Sequence, residues 1–179
     1  RILRHLSDLR IPSSSNFSTS SSSNSKKGAV GFLFFVFWTK NSACRDMKEI
    51  FSALKNVKNT KKIFTMPNAD AGGGIIYSMI KKFSKKKSNN SIIFKSLGQK
   101  MYFSVMKNSN LVLGNSSSGI IESPSLRIPS LNIGDRQKGR VTASSTITCK
   151  PYRNEILKYT NKLLSKKYLA EIKLKRNFL

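Results

Sequence analysis

The sequence has few of the side chains that most often perform acid–base chemistry. Among its 179 residues are eight Asp and Glu against 33 Lys and Arg, and the only histidine is His5. Acid–base catalysis needs groups poised near the operating pH. Most of these carboxylates fall on predicted helices or turns, so no convincing acid–base pair remains. We therefore predict no catalytic residue in this chain.

Cysteine is also scarce. Cys44 and Cys149 lie far apart and form no C-x-x-C motif, so we expect neither a disulfide framework nor a metal site. A reducing, cytoplasmic setting fits this usage best. The longest apolar run, Ala29 to Trp38, has about ten residues where a membrane-spanning helix needs roughly 20. We expect a buried strand there and no membrane association.

The composition changes along the chain and predicts one folded domain. Residues 1–27 contain the serine run 13–15, the serine-rich tract 18–25 and few apolar side chains, which is typical of a low-complexity, disordered tail. Residues 28–165 are predicted to fold. Residues 166–179 are predicted to be a basic C-terminal tail or a helix end.

Apolar spacing within the folded region alternates between strand and helix patterns. Strands are predicted at 30–37, 62–65, 91–94, 111–113 and 130–133; helices at 46–54, 74–83 and 100–107, from about Ser117, and from Asn154 onward. Repeated strand–helix alternation indicates an α/β fold with a Rossmann-like parallel sheet and helices on both faces.

A serine-rich turn follows the fourth predicted strand directly. Residues 114–119, Gly-Asn-Ser-Ser-Ser-Gly, offer hydroxyl donors, a good helix cap and Gly for close backbone approach. Helix N-termini at strand ends bind anions, so this turn suits a diphosphate. On a continuous helix Glu122 would lie roughly 9 Å along the axis from Ser116, within reach of sugar hydroxyls. An ordinary capped helix start is the alternative.

The motifs around this turn resemble a known family. They are residues 115–124 (NSSSGIIESP), 128–140 (IPSLNIGDRQKGR) and 66–72 (MPNADAG), and Ser96-Leu97-Gly98 with Tyr102. Together they resemble the hydrolysing UDP-N-acetylglucosamine 2-epimerases of sialic and legionaminic acid biosynthesis, over residues 28–165. The resemblance implies a two-domain, glycosyltransferase-B-like fold, of which this chain is similar to the C-terminal half.

The resemblance also implies a UDP-binding site. Asn68 and the turn Ser96-Leu97 would line the nucleotide pocket, Ser116 and Ser117 would hold the diphosphate, Glu122 would bind ribose hydroxyls, and Arg136 would face the phosphates. Each residue also has an ordinary structural explanation. Arg136 could satisfy carbonyls, Asn68 could start a turn, and Ser96 could end a strand.

The family's reaction, as the resemblance implies it, eliminates UDP from UDP-N-acetylglucosamine and adds water, giving N-acetylmannosamine without a cofactor. Its catalytic carboxylates and histidines come largely from a first domain with no counterpart here. The usual His-Pro turn is replaced by residues 37–42, Phe-Trp-Thr-Lys-Asn-Ser. We therefore expect little turnover by this chain alone, and a homo-oligomer or a missing N-terminal domain as its protein partner.

Three alternatives remain. Nucleic-acid binding is suggested by the net charge of +25 and by eight lysines between Lys81 and Lys107 without a carboxylate, although Arg clusters and stacking aromatics are few. A UDP-sugar glycosyltransferase fragment would share the architecture. The third alternative is a non-hydrolysing epimerase. That branch typically has an Asp-Ser-Gly-Gly turn at this place, so the triple serine favours the hydrolysing branch.

Overall fold

A computed structural model describes residues 31–36, 43–65 and 73–174 of the chain. The strands are β1 (Gly31–Val36), β2 (Thr60–Thr65), β3 (Ser91–Phe94), β4 (Leu111–Gly114), β5 (Ser130–Ile133) and β6 (Thr146–Cys149). The α-helices are α1 (Ala43–Leu54), α2 (Gly73–Ser84), α3 (Gly98–Lys107), α4 (Glu122–Ser125), α5 (Arg153–Leu163) and α6 (Lys166–Leu174). Short 3₁₀ turns occupy Lys87–Asn89 and Ser117–Gly119.

The strands form one six-stranded sheet in the order β3-β2-β1-β4-β5-β6, and every neighbouring pair is parallel. The predicted Rossmann-like α/β fold is confirmed. Strand β6 was not predicted: its four residues alternate Thr with apolar side chains, but so short an alternation is a weak signal by itself. No α-helix connects β5 to β6, so the alternation that revealed the other strands gives no signal there.

The sheet order reverses between β1 and β4. The chain moves outward from β1 through β2 to β3, then crosses back to place β4 on the other side of β1. The register pairs Val36 with Gly114, so β1 and β4 end level with each other. In open parallel sheets, ligands bind at the carboxyl edge beside such a reversal. Residues that follow β4 therefore stand at the preferred ligand position of this fold.

The larger core packs α1, α2 and α5 on one face of the sheet. Its centre is aromatic: Phe51 stacks on Phe83 with 4.5 Å between ring centroids, and Phe64 of β2 meets Phe51 edge-on at 6.2 Å. Stacked and edge-to-face rings add to the stabilisation from apolar burial alone. A smaller core on the opposite face joins Val105 and Met106 of α3 to the sheet.

Residues 166–179 were predicted to be a basic tail or a helix end, and they form α6 as far as Leu174. Its Ile172 is buried, with 3% of its surface exposed. The serine-rich segment 1–27 lies outside the described residues.

A lysine is buried at the amino edge of the sheet. Lys62 is 4% exposed, and its Nζ donates to the carbonyls of Val57 at 3.0 Å and Thr60 at 3.4 Å. Burial lowers the pKa of Lys62. The folded state therefore holds this proton less tightly than the unfolded state, and folding becomes more favourable as pH rises through the lowered pKa. Below that lowered pKa, the buried charge costs stability.

Replacing Lys62 by Met should leave the free energy of unfolding within about 1 kcal/mol of wild type, or raise it. Both carbonyls keep another donor, because the Thr60 hydroxyl donates to Val57 and the Asn90 amide donates to Thr60, each at 3.1 Å. Urea denaturation measures the difference, with the exposed Lys58→Met as control. A loss above about 2 kcal/mol would show that the ammonium stabilises the fold.

The two cysteines should differ in reactivity. Cys44 is exposed, whereas Cys149 is 5% exposed, and burial, aided by the charge of Glu155, raises the pKa of its thiol to about 12. At pH 8 only about one in 10,000 such thiols is ionised. Ellman's reagent should therefore label one thiol per native chain and two in urea. Labelling of both native thiols at similar rates would contradict this assignment.

Candidate functional site

The serine-rich turn begins where β4 ends, at Gly114. Ser116 has an extended backbone (φ −79°, ψ 151°), and its side-chain oxygen accepts from the Ser118 N–H at 3.4 Å. A 3₁₀ turn follows, in which the amide of Ile120 donates to the Ser117 carbonyl at 2.9 Å. Ser116 thus caps the turn, as the ordinary structural explanation proposed. A hydroxyl that accepts a hydrogen bond still carries a proton to donate, so capping is compatible with phosphate binding.

The prediction of one continuous helix from Ser117 is wrong. The chain forms the 3₁₀ turn Ser117–Gly119, passes through Ile120 and Ile121, and then forms the four-residue helix α4. Pro124 has no N–H to donate to the carbonyl four residues earlier, so a regular helical ladder cannot run through this segment. Glu122 is therefore placed by the shape of the turn, and the estimated 9 Å along a helix axis does not apply.

Three side chains converge behind the turn. They are Tyr102 of α3, Ser118 and Glu122. The Tyr102 hydroxyl is buried, and burial raises its pKa. The charge of Glu122 raises this pKa further, whereas a side-chain hydrogen bond with Ser118 lowers it. Glu122 is half-buried. Its Oε2 is buried, and among the described residues no donor bonds to it. A shielded carboxylate oxygen is costly without a donor, and a sugar hydroxyl is a suitable one.

The loop that follows β5 contacts the serine-rich turn directly. Arg136 donates from Nη1 to the Asn115 carbonyl at 2.9 Å, and Gln137 donates from Nε2 to the same oxygen at 2.8 Å. Gly134 and Gly139 flank these residues with φ of 84° and 85°, a region that side-chain-bearing residues rarely adopt. The two glycines therefore let the loop bend back over the end of β4.

Arg136 was predicted to face the phosphates, with a bond to a carbonyl as the alternative explanation. One of its donors does satisfy a carbonyl, but a guanidinium has five N–H donors, so this bond is compatible with phosphate contact. Burial lowers the pKa of Arg136, and the nearby charge of Arg140 lowers it further. The guanidinium nevertheless stays charged at neutral pH. An anion binding here would offset both the desolvation and the repulsion between the two cations.

The turn that follows β3 lies at the same edge of the sheet but farther away. Three strand spacings separate β3 from β4, which is about 14 Å at the usual distance between strands. Ser96 is exposed, whereas the Leu97 side chain packs against the smaller core. Leu97 can therefore contact a ligand mainly through its backbone. Asn68 and the turn at 37–42 lie outside the described residues.

The structure thus brings Ser116, Ser117, Glu122 and Arg136 together, with Ser96-Leu97 across the edge. Gln137 and Tyr102 also lie in this neighbourhood, although from the sequence both were only motif residues and no role was predicted for either. Gln137 is 4% exposed, in the segment 134–140, whose other side chains are all charged apart from two glycines. No periodic pattern marks a buried residue in such a loop.

Within the described residues, no group of three His, Cys, Asp or Glu side chains could hold a metal ion. In that same part of the chain, no helix is both long and apolar enough to cross a bilayer.

Several curated proteins are similar to this chain. The GDP/UDP-N,N'-diacetylbacillosamine 2-epimerase (hydrolyzing) of Campylobacter jejuni is 41% identical over 103 residues, which are 58% of this chain and 27% of that protein. The polysialic acid biosynthesis protein P7 of Escherichia coli is 38% identical over 130 residues, 72% of this chain and 33% of that protein. The chain thus spans between a quarter and a third of these relatives.

Solved structures share the fold at low sequence identity. A putative UDP-N-acetylglucosamine 2-epimerase from Listeria monocytogenes superposes with a TM-score of 0.68 at 14% identity, covering 84% of this chain and 41% of that one. The Neisseria meningitidis enzyme, solved bound to UDP-GlcNAc, gives 0.62 at 14% identity, with coverage of 83% and 40%. A glycosyltransferase of kitacinnamycin gives 0.58 at 11% identity, with coverage of 88% and 40%. These likenesses confirm the fold of one half of a glycosyltransferase-B-like protein.

The family model described as UDP-N-acetylglucosamine 2-epimerase matches residues 20–178, nearly the whole chain. With the serine-rich turn and the Arg136 loop joined at the sheet reversal, this match shows that the chain belongs to the UDP-N-acetylglucosamine 2-epimerase family.

Proposed function

We propose that this chain supplies the UDP-binding half of a hydrolysing UDP-N-acetylglucosamine 2-epimerase. One observation carries the proposal: the serine-rich turn, Glu122 and Arg136 meet at the carboxyl edge where the sheet order reverses. This edge is where open parallel sheets bind nucleotides. The names of the relatives supply the chemistry, since two of them are described as hydrolysing 2-epimerases.

The diphosphate would bind between the serine-rich turn and the Arg136 loop. Ser116 and Ser117 offer hydroxyl protons, and Arg136 offers a planar, permanently charged donor set suited to phosphate oxygens. Arg140 adds a second positive charge beside it. This arrangement favours an anion with more than one negative oxygen, which a nucleoside diphosphate provides.

The ribose and base would extend from the diphosphate along the edge of the sheet. Glu122 would accept from ribose hydroxyls, which supply the donor that its buried Oε2 lacks among the described residues. Ser96 and the Leu97 backbone, about 14 Å from β4 by strand spacing, would contact the far end of the nucleotide. Asn68 is proposed to line the same pocket.

The chemical step would eliminate UDP across C1–C2 of the sugar and then add water to give N-acetylmannosamine. Breaking the C1–O bond leaves negative charge on the departing phosphate, and a guanidinium held beside it stabilises that charge. Removal of the C2 proton needs a base, which we assign to a partner domain or subunit. Hydrolase chemistry, a role in sialic acid biosynthesis and a cytoplasmic location belong to this proposal.

The sugar is the least constrained part of the proposal. The Campylobacter jejuni relative is named for N,N'-diacetylbacillosamine with GDP or UDP, and the Neisseria meningitidis relative for UDP-N-acetylglucosamine. We propose UDP-N-acetylglucosamine as substrate. Competition of GDP against UDP, and of the two sugar nucleotides against each other, would decide between these names.

UDP should stabilise the full chain against heat. At 100 times its dissociation constant a ligand contributes about 2.7 kcal/mol, which is roughly 5–10 °C in Tm for a domain of this size. Glu122→Gln should reduce the shift, because an amide accepts from ribose hydroxyls less strongly than a carboxylate. The matched control is Glu171→Gln, at an exposed position within α6.

The measurement is a thermal melt with and without millimolar UDP, at low and at moderate salt. The shift should survive moderate salt, because buried contacts are screened less than surface charges. An unchanged wild-type Tm would refute UDP binding. A shift present only at low salt, with RNA binding of equally steep salt dependence, would favour nucleic-acid binding instead.

The chain alone should show little or no turnover. Its site brings together phosphate- and sugar-binding groups, and the eight carboxylates and one histidine of the sequence offer no convincing acid–base pair. UDP release from UDP-N-acetylglucosamine, followed by a coupled assay, is the measurement. Release that Glu122→Ala abolishes would contradict this expectation and place catalysis within the chain.

A further inference from the structure

We propose that Gln137 is a positioning residue of the diphosphate site, which holds the Asn115 carbonyl so that Arg136 can turn toward phosphate. This inference rests on the proposed function. It adds a residue to the site and assigns it a task different from that of Arg136.

The Asn115 carbonyl oxygen receives two side-chain donors from consecutive residues of one loop. Gln137 Nε2 lies 2.8 Å from it and Arg136 Nη1 lies 2.9 Å from it. Asn115 sits between the end of β4 and Ser116. A peptide group is planar, so fixing the Asn115 carbonyl also fixes the direction of the Ser116 N–H. The two bonds therefore set the orientation at the start of the serine-rich turn.

The two donors differ in what a bound anion would do to them. Phosphate attracts the charged guanidinium of Arg136 far more strongly than the neutral amide of Gln137. If Arg136 were the only side chain of this loop to bond the carbonyl, moving toward phosphate would take a charged donor away from a half-buried oxygen, which costs free energy. With Gln137 in place the carbonyl stays bonded, so the movement of Arg136 costs little.

Stability does not explain why a glutamine occupies this position. Gln137 is 4% exposed, and its Oε1 is buried without a hydrogen-bond partner among the described residues. The bond from Nε2 to Asn115 fixes which end of the amide faces the turn, so flipping the amide would not help. A buried acceptor without a partner is a cost to folding. An apolar side chain of similar length would avoid that cost but could not hold the carbonyl.

The test compares Gln137→Met with wild type and with Lys138→Met, a control at the exposed neighbouring position of the same loop. Isothermal titration with UDP on the full chain should show binding about three- to tenfold weaker for Gln137→Met, the effect of one hydrogen bond. The control should bind like wild type. The Tm without UDP should be unchanged or higher in Gln137→Met, because the unpaired acceptor is gone.

Two further measurements separate positioning from simple structural support. The ³¹P resonances of bound UDP should move from their wild-type positions in Gln137→Met and stay in place in Lys138→Met. Gln137→Glu, measured at pH 8, should also weaken UDP binding, because its carboxylate has no proton to donate to Asn115 and competes with phosphate for Arg136.

The inference is overturned if both Gln137 variants bind UDP as tightly as wild type, or if weaker binding comes with a ligand-free Tm several degrees lower. The proposed function fails separately, if wild type itself does not bind UDP, and this inference then fails with it.

Discussion

The parallel pairing of β1 with β4 is the constraint on which the site depends. Val36 and Gly114 are partners in that pairing, so the two strands end level at the point where the chain has turned back on itself. In open parallel sheets, the segments that leave two such strands diverge and open a crevice for ligands. If β4 were placed anywhere else in the sheet, the serine-rich turn would not stand beside the reversal.

Hydrogen bonds between loops, more than helix geometry, set the shape of the serine-rich turn at this edge of the sheet. The turn after β4 is a 3₁₀ segment followed by a four-residue helix, so no long helix directs a dipole at the ligand position. Its shape depends on hydrogen bonds: Ser116 caps the turn, and the Asn115 carbonyl is tied to the loop after β5. Because that loop arrives from a neighbouring strand, the site is a product of the β4–β5 pairing as well.

The strong positive charge is a general property of the molecule, and the site uses only a small part of it. The chain carries a formal net charge of +25, which attracts anions of many kinds and raises encounter rates without selecting among them. Selection would come from the few charged groups held in the loops of the site, Arg136 above all. Its guanidinium is partly buried and tied to Asn115, whereas most of the lysines stand in solvent.

The sequence by itself determined the strands from β1 to β5, the long helices, and the place of the serine-rich turn directly after β4. Apolar periodicity and helix-capping residues are local signals, so these features could be predicted before any fold was known. The family motifs also indicated which side chains would gather there. The pairing of β6 with β5, the inward packing of Leu97 and the hydrogen bond from Gln137 to Asn115 were decided only by the tertiary structure. Each depends on a partner distant in sequence: β6 on β5, Leu97 on the smaller core, and Gln137 on Asn115, which is 22 residues away. Local periodicity carries no information about such partners, because they become neighbours only when the parallel sheet assembles.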